Sequence, residues 1–165
     1  MWLNMAREDY QKALKKGERS YARYLSEGKY PYLQVLEELL SHTDVVAEED
    51  LGICSIPSEM IVGTFTAGRR TAFAPNFMPL LDDESEFAAK WQALYNAHLE
   101  EGIHDPIKCY EFMNRYYVLE GNKRVSVLKF CDAPSVQGNV TRIIPKRTDE
   151  PENRQIGRAS CRERV

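Results

Sequence analysis

The spacing of apolar residues changes several times along this chain. Apolar residues recur at three- and four-residue steps from Arg7 to Glu27 and from Glu84 to Glu101, a spacing typical of amphipathic helices. Runs rich in β-branched and aromatic residues predict strands at 51–57, 107–113, 116–119 and 139–144. The sequence therefore predicts an α+β domain in the order helices, strand, loop, helix, hairpin, helix, strand.

Local signals refine the ends of these elements. Gly17 interrupts the first helical pattern, so either one helix or a helix pair is expected there, followed by a second short apolar helix face within 33–40. The segment Asp83-Glu84-Ser85-Glu86 resembles a capping box at the start of the later helix. Asn114-Arg115 is predicted to be the two-residue turn of the hairpin.

The chain is long enough for one domain with its own core. We expect an N-terminal helical segment at 1–45, a main domain at 46–150 and a disordered tail at 151–165. The stretch from Gln155 to Val165 has no hydrophobic period and reads as a foreign sequence. The natural protein is therefore expected to continue beyond Arg154.

Charge and composition argue against several classes of protein. The net charge is −3, and without the three arginines and one glutamate of 155–165 it is −5, so nucleic acid is a partner that charge does not favour. No apolar run is long enough to cross a bilayer, and the N-terminus lacks signal-peptide features; a cytoplasmic protein without a membrane partner is expected. The four cysteines are widely spaced, which argues against a zinc site or a disulfide framework.

The most informative stretch is the turn Gly121-Asn122-Lys123-Arg124 between a predicted strand and a predicted helix. A helix N-terminus presents unpaired backbone N–H groups and the positive end of the helix dipole, which together favour an anion. Gly121 allows close approach of the backbone, and Lys123 and Arg124 add donors suited to phosphate oxygens. The turn predicts a phosphate-binding site, although a glycine followed by two basic residues is a weak signal when taken alone.

The order of several short segments resembles that of the ParB/sulfiredoxin family over about residues 52–146. It is also similar to the N-terminal module of bacterial basic-membrane-protein-type ABC transporter substrate-binding proteins. The segments that carry the resemblance are Ile56-Pro57, Ala67-Gly68-Arg69-Arg70, the helix at 84–101, His104-Asp105-Pro106-Ile107 and Val118 to Arg124.

The resemblance implies a small mixed sheet with packed helices and a phosphate site. By that likeness Gly121, Asn122, Lys123 and Arg124 would hold the phosphates of a nucleotide. Gly68, Arg69 and Arg70 would reach in from the loop before the long helix, although a solvated arginine pair is an equally good interpretation of the loop. The ligand would be a nucleotide or a phosphorylated small molecule, and a nucleoside triphosphate with Mg²⁺ is the cofactor that the resemblance suggests.

Asn122 departs from the family pattern, which has an acidic residue or the sulfiredoxin cysteine at this position. An amide is neither a thiolate nucleophile nor a strong magnesium ligand. Sulfiredoxin chemistry is therefore not expected, and the case for nucleotide hydrolysis is weakened. Glu120, one residue before the glycine, is the candidate catalytic carboxylate, with a solvated strand-end glutamate as the simpler interpretation.

Three functions remain open from the sequence. The first is a regulatory or sensing module that binds a nucleotide or another phosphorylated ligand, fused in the full-length protein to a ligand-binding domain. The second is an enzyme, either a ParB-like nuclease or a phosphotransferase acting on a small molecule. The third is a DNA-associated adaptor that uses the N-terminal helices as its partner surface. A homodimer is also open.

Overall fold

The computed structural model describes residues 2–146, except for the side chains of residues 2–4 and Arg69. The tail predicted at 151–165 lies outside the described residues. The helices and strands are α1 (Trp2–Ser26), β1 (Gln34–Val35), α2 (Leu36–Leu40), β2 (Val45–Pro57), β3 (Ile61–Thr64), α3 (Glu86–Glu100), β4 (Ile107–Phe112), β5 (Arg115–Glu120), α4 (Asn122–Phe130) and β6 (Ser135–Pro145). Two 3-10 turns cover Ser58–Met60 and Ala67–Ala72.

One six-stranded mixed sheet organises these elements. Its strand order is β1-β3-β5-β4-β6-β2. Neighbours pair in parallel for β1 with β3, β3 with β5 and β4 with β6, whereas the β4–β5 hairpin and the β2–β6 pair are antiparallel. The predicted α+β class is therefore confirmed, and no helix within residues 2–146 combines the length and apolar character that crossing a membrane requires.

The N-terminal segment contributes to the main core. Tyr10 of α1 is fully buried and its ring lies 5.3 Å from that of Trp91 on α3. The helix is continuous through Gly17, where a Cβ would lie 2.1 Å from the carbonyl oxygen of Pro79. The absence of a side chain at Gly17 thus allows α1 to pack closely against the loop before α3. β1 adds an edge strand to the sheet through its pairing with β3.

Several predicted boundaries are corrected. β2 begins at Val45 and β6 at Ser135, whereas the sequence predicts strands at 51–57 and 139–144. The hairpin turn is Met113-Asn114, with φ of +53° and +65°, and positive φ at both central residues is the mark of a type I′ turn; Arg115 is the first residue of β5. The helix α3 begins at Glu86, and its N-cap is Ser85, whose side chain accepts a hydrogen bond from the backbone N–H of Ala88.

A buried ion pair joins β4 to β6. Arg142 Nε lies 3.4 Å from Glu111 Oε2, and the side chains are only 11% and 2% exposed. The two residues are register partners on adjacent parallel strands. Burial raises the pKa of the Glu111 carboxyl, and the positive charge of Arg142 opposes that rise. The charge on each partner therefore depends on the other for its stabilisation.

Replacing Arg142 by methionine is expected to lower the free energy of unfolding by about 3–5 kcal/mol, because it leaves a buried carboxylate without its partner. The double variant Glu111→Gln/Arg142→Met removes both charges and should regain most of that loss. Urea unfolding of the wild type and the variants measures both effects. A double variant no more stable than Arg142→Met would contradict this account.

Candidate phosphate-binding site

Three parallel strands end at the same edge of the sheet. The strands β1, β3 and β5 are neighbours and run in the same direction. The chain continues from them into α2, into the loop that holds the turn Ala67–Ala72, and into α4. Ligand sites commonly lie beyond the carboxyl ends of parallel strands. This topology brings the two predicted phosphate-binding segments, at 67–70 and 121–124, to one edge.

The backbone at Gly121 turns the chain from β5 directly into α4. Gly121 is the N-cap residue, with φ +114° and ψ 24°, and no side chain caps it. A Cβ at this position would lie 2.7 Å from Ile107 Cγ2, which belongs to a fully buried side chain. The first helical hydrogen bond runs from Val125 N to Gly121 O, at 3.0 Å. Glycine is therefore required here by both conformation and space.

The side chain of Arg124 folds back over this turn. Its Nη1 donates to the carbonyl oxygens of Asp105 and Pro106, at 3.1 and 3.2 Å. Its Nη2 lies 3.1 Å from the position that a Cβ of Gly121 would occupy. The guanidinium thus ties α4 to the segment before β4 and lies beside the turn rather than extending into bulk water.

The neighbouring charged side chains lie on either side of the turn. Lys123 Nζ lies 5.3 Å from the centre of the Phe87 ring, at the start of α3. Glu120 Oε2 lies 3.7 Å from Lys108 Nζ, and both side chains are more than half exposed. An exposed ion pair of this kind contributes little to the stability of the fold. The candidate catalytic carboxylate is therefore a solvated group that pairs across the hairpin.

Asn122 connects the turn to the end of β3. Its Nδ2 donates to Thr64 Oγ1 at 3.2 Å, and Thr64 Oγ1 donates to the carbonyl oxygen of Val118 at 3.2 Å. Because the hydroxyl proton is used toward Val118, the threonine oxygen must accept, which fixes the orientation of the amide. Within the described residues, Asn122 Oδ1 is then a buried acceptor without a hydrogen-bond partner. Sequence reasoning missed Thr64, whose only signal is its place before the glycine- and arginine-containing loop.

The loop after β3 contacts the N-terminal segment. Arg70 Nη1 lies 2.5 Å from Glu38 Oε2 on α2, and its guanidinium lies 5.9 Å from the centre of the Tyr30 ring. Among the described residues, apart from its chain neighbours, nothing lies within 4 Å of a Cβ placed on Gly68; the Arg69 side chain is not among the described residues. The structure thus brings Gly68 and Arg70 to the same sheet edge as Gly121 to Arg124, with the Arg70 side chain directed to α2 and Tyr30. Neither Glu38 nor Tyr30 was predicted as part of the site.

The donor set suits an anion better than a metal ion held by the protein. Among residues 2–146 no group of three or more histidine, cysteine, aspartate or glutamate side chains could hold a metal. The side-chain oxygens on either side of Gly121 in the sequence are those of the Asn122 amide and the Glu120 carboxylate, and the carboxylate pairs with Lys108. Protein-bound Mg²⁺ usually takes one or two carboxylates together with substrate phosphates.

Two polar contacts, one buried and one partly buried, fix α4 against the core. Trp91 Nε1 donates to Ser126 Oγ at 2.9 Å, and Lys129 Nζ donates to the carbonyl oxygen of Ile61 at 2.9 Å. Burial lowers the pKa of Lys129 to about 8, while the charge of Glu59 opposes the shift. The helix that carries the candidate site is therefore anchored at its centre and at its C-terminal end.

Comparisons of the chain with protein-family models, with curated proteins and with solved structures found no match. The candidate site is therefore argued from its geometry and from the sequence.

Replacing Gly121 by alanine is expected to destabilise the domain by about 1–3 kcal/mol, because the backbone is left-handed there and the Cβ meets Ile107. Gly68→Ala is the matched control, since nothing lies within 4 Å of its Cβ position, and it should change stability by no more than about 0.5 kcal/mol. Denaturant unfolding distinguishes the two. Equal effects would show that the turn does not require glycine.

The depressed pKa of Lys129 makes stability depend on pH. The folded state loses this proton near pH 8, whereas the unfolded chain keeps it to about 10.5, so the unfolded state binds more protons between these values. The free energy of unfolding should therefore gain up to about 1.4 kcal/mol per pH unit from this group as pH rises from 8 to 10.

The difference between the wild type and Lys129→Met isolates this effect. Tyr10, Tyr95 and Cys131 have raised pKa values and act with the opposite sign at high pH, but they are present in both proteins. Urea unfolding gives the free energy of unfolding of both proteins at each pH. If these free energies changed with pH in the same way in both proteins, Lys129 would not have a lowered pKa.

Proposed function

We propose that this domain is a ParB/sulfiredoxin-like module that binds the phosphates of a nucleotide or another phosphorylated ligand and serves regulation or sensing in the cytoplasm. The observation that carries the proposal is the N-terminus of α4. It follows Gly121 without a side-chain cap and lies at the edge where β3 and β5 end. Backbone N–H groups in such a position favour an anion.

The charges in the first turn of α4 support an anionic ligand. α2 and α3 each carry acidic residues in their first turn, which is favourable for the helix dipole, whereas α4 carries none and has Lys123 and Arg124 there instead. Cations at a helix N-terminus are unfavourable for stability. A phosphate at this position would offset that cost, and it would accept hydrogen bonds from the amides and from the guanidinium.

Replacing Arg124 by alanine should weaken binding of the ligand by about 10- to 100-fold, because it removes charge-assisted hydrogen bonds to the phosphates. Arg115→Ala is the matched control, since it removes the same charge at the opposite end of β5. Isothermal titration with CTP, ATP, ADP and inorganic phosphate gives the affinities.

Circular dichroism should first show that both variants are folded, because Arg124 also bonds to two carbonyl oxygens. Absence of binding by the wild type, or equal losses in the two variants, would refute the proposal.

A further inference from the structure

A pocket of about 280 Å³, here called the α1 pocket, lies between α1 and the loop before α3. Three cations, a hydroxyl and an amide line it, and they belong to Lys16, Arg19, Arg23, Ser20 and Asn76. The Asn76 side chain joins the two walls, because its Nδ2 donates to the Lys16 carbonyl oxygen at 3.3 Å and its Oδ1 accepts from Met78 N at 3.0 Å. The packing of the helix against the loop therefore defines the pocket.

None of the three cations forms an ion pair with a carboxylate among residues 2–146. Lys16 Nζ lies 5.2 Å from the centre of the Phe130 ring, and the Arg23 guanidinium lies 5.5 Å from the centre of the Tyr24 ring. Arg19 Nε donates to a backbone carbonyl oxygen of α1 at 3.4 Å. These contacts do not neutralise a full charge, so the pocket is strongly positive.

The three cations lie on one face of α1. Lys16 and Arg19 are three residues apart, and Arg19 and Arg23 are four apart, spacings at which side chains are neighbours on a helix and like charges are unfavourable. The whole chain has a net charge of −3, so composition does not account for this concentration of cations. An anion in the pocket would offset the repulsion between them.

Ser20 gives an independent indication of a ligand. Its side chain lines the pocket and is only 6% exposed, and its Oγ has no hydrogen-bond partner among the described residues. A serine within a helix often donates to the carbonyl oxygen four residues earlier, but here that oxygen, of Lys16, accepts from Asn76. Buried hydroxyl groups without a partner are uncommon in folded proteins. An anion in the pocket would accept this hydrogen bond together with those of the cations.

We propose that the α1 pocket binds a small molecule that carries two or more phosphate groups. Guanidinium groups donate in pairs to phosphate oxygens, which assigns this role to Arg19 and Arg23. The cations extend over the seven-residue step from 16 to 23, about 10 Å along the helix axis. This length suits a chain of phosphates better than a single phosphate ion.

The α1 pocket is separate from the site proposed at the N-terminus of α4. Lys16 contacts Phe130, the last residue of α4, whereas Gly121 precedes its first residue. The helix between them extends about 12 Å. The inference therefore does not rest on the proposed function, and variants can test the two sites independently.

Isothermal titration with inorganic phosphate, pyrophosphate and tripolyphosphate tests the pocket. Tripolyphosphate should bind to the wild type more tightly than inorganic phosphate, and Arg19→Gln/Arg23→Gln should weaken its binding at the pocket by about 10- to 100-fold. The matched control is Lys12→Gln/Lys15→Gln, which removes the same charge from α1 outside the pocket and should bind as the wild type does. All four side chains are exposed, so both variants are compatible with folding.

The stoichiometry of tripolyphosphate binding distinguishes the two sites. If both sites bind it, the wild type takes up two equivalents, and Arg124→Ala and Arg19→Gln/Arg23→Gln each retain one. If the wild type takes up one equivalent that Arg124→Ala retains and Arg19→Gln/Arg23→Gln loses, the pocket is supported and the site at α4 is refuted.

The variant Ser20→Ala tests the role of the hydroxyl group. It should weaken the binding of tripolyphosphate at the pocket by about 3- to 10-fold. Its free energy of unfolding without ligand should not fall, because the hydroxyl has no protein partner to lose. Lower stability with unchanged binding would show that Ser20 has only a structural role and would overturn its assignment to the ligand.

Three other results would overturn the proposal. The first is that tripolyphosphate does not bind, or binds no more tightly than inorganic phosphate. The second is that Lys12→Gln/Lys15→Gln weakens binding as much as Arg19→Gln/Arg23→Gln, which would indicate a general effect of charge. The third is that Arg19→Gln/Arg23→Gln keeps the affinity and stoichiometry of the wild type.

Discussion

The carbonyl oxygen of Val118 accepts two hydrogen bonds at the end of β3, from Phe65 N at 2.8 Å and from Thr64 Oγ1 at 3.2 Å. These bonds hold the end of β3 beside β5, two residues before β5 ends at Glu120. Because the strands are parallel, the loop after β3 and the helix after β5 must both begin at this edge. The position of every candidate ligand-binding group depends on this pairing.

The first turn of α4 is unfavourable for the isolated protein. It carries two cations, Lys123 and Arg124, and no acidic residue, although the helix dipole favours negative charge at this end. Stable domains usually satisfy such local requirements, and departures from them concentrate at functional sites. An anion bound at this turn would offset the unfavourable charges.

Local signals made part of this structure predictable. The spacing around Trp91 predicts α3, and the glycine after β5 predicts the start of α4, because each depends on neighbours in sequence. The sequence also predicts the hairpin, but with its turn at Asn114-Arg115, one residue too late. The backbone takes positive φ at Met113 and Asn114, and methionine gives no sequence signal for that conformation.

Contacts between distant residues could not be predicted in this way. β1 has only two residues and is a strand because it pairs with β3. Two residues are too few to show the alternation of apolar and polar residues that predicts a strand. The pairing of Arg70 with Glu38 and the bonds of Arg124 to the Asp105 and Pro106 carbonyls join residues 18 or more positions apart. The types of residue at the candidate site were therefore predicted, and the partners that hold them were not.

The two arginines differ in what ligand binding requires of them. Arg124 Nη1 donates to the carbonyl oxygens of Asp105 and Pro106, and Nη2 lies beside Gly121. A phosphate bound at the turn would therefore accept from Nη2 without breaking the bonds of Nη1. Arg70 pairs with Glu38, whose side chain is 61% exposed. The Arg70 side chain itself is 32% exposed, and partly exposed pairs of this kind contribute little to stability. The structure therefore combines one cation fixed at the turn with one in the loop that an ion pair holds against α2.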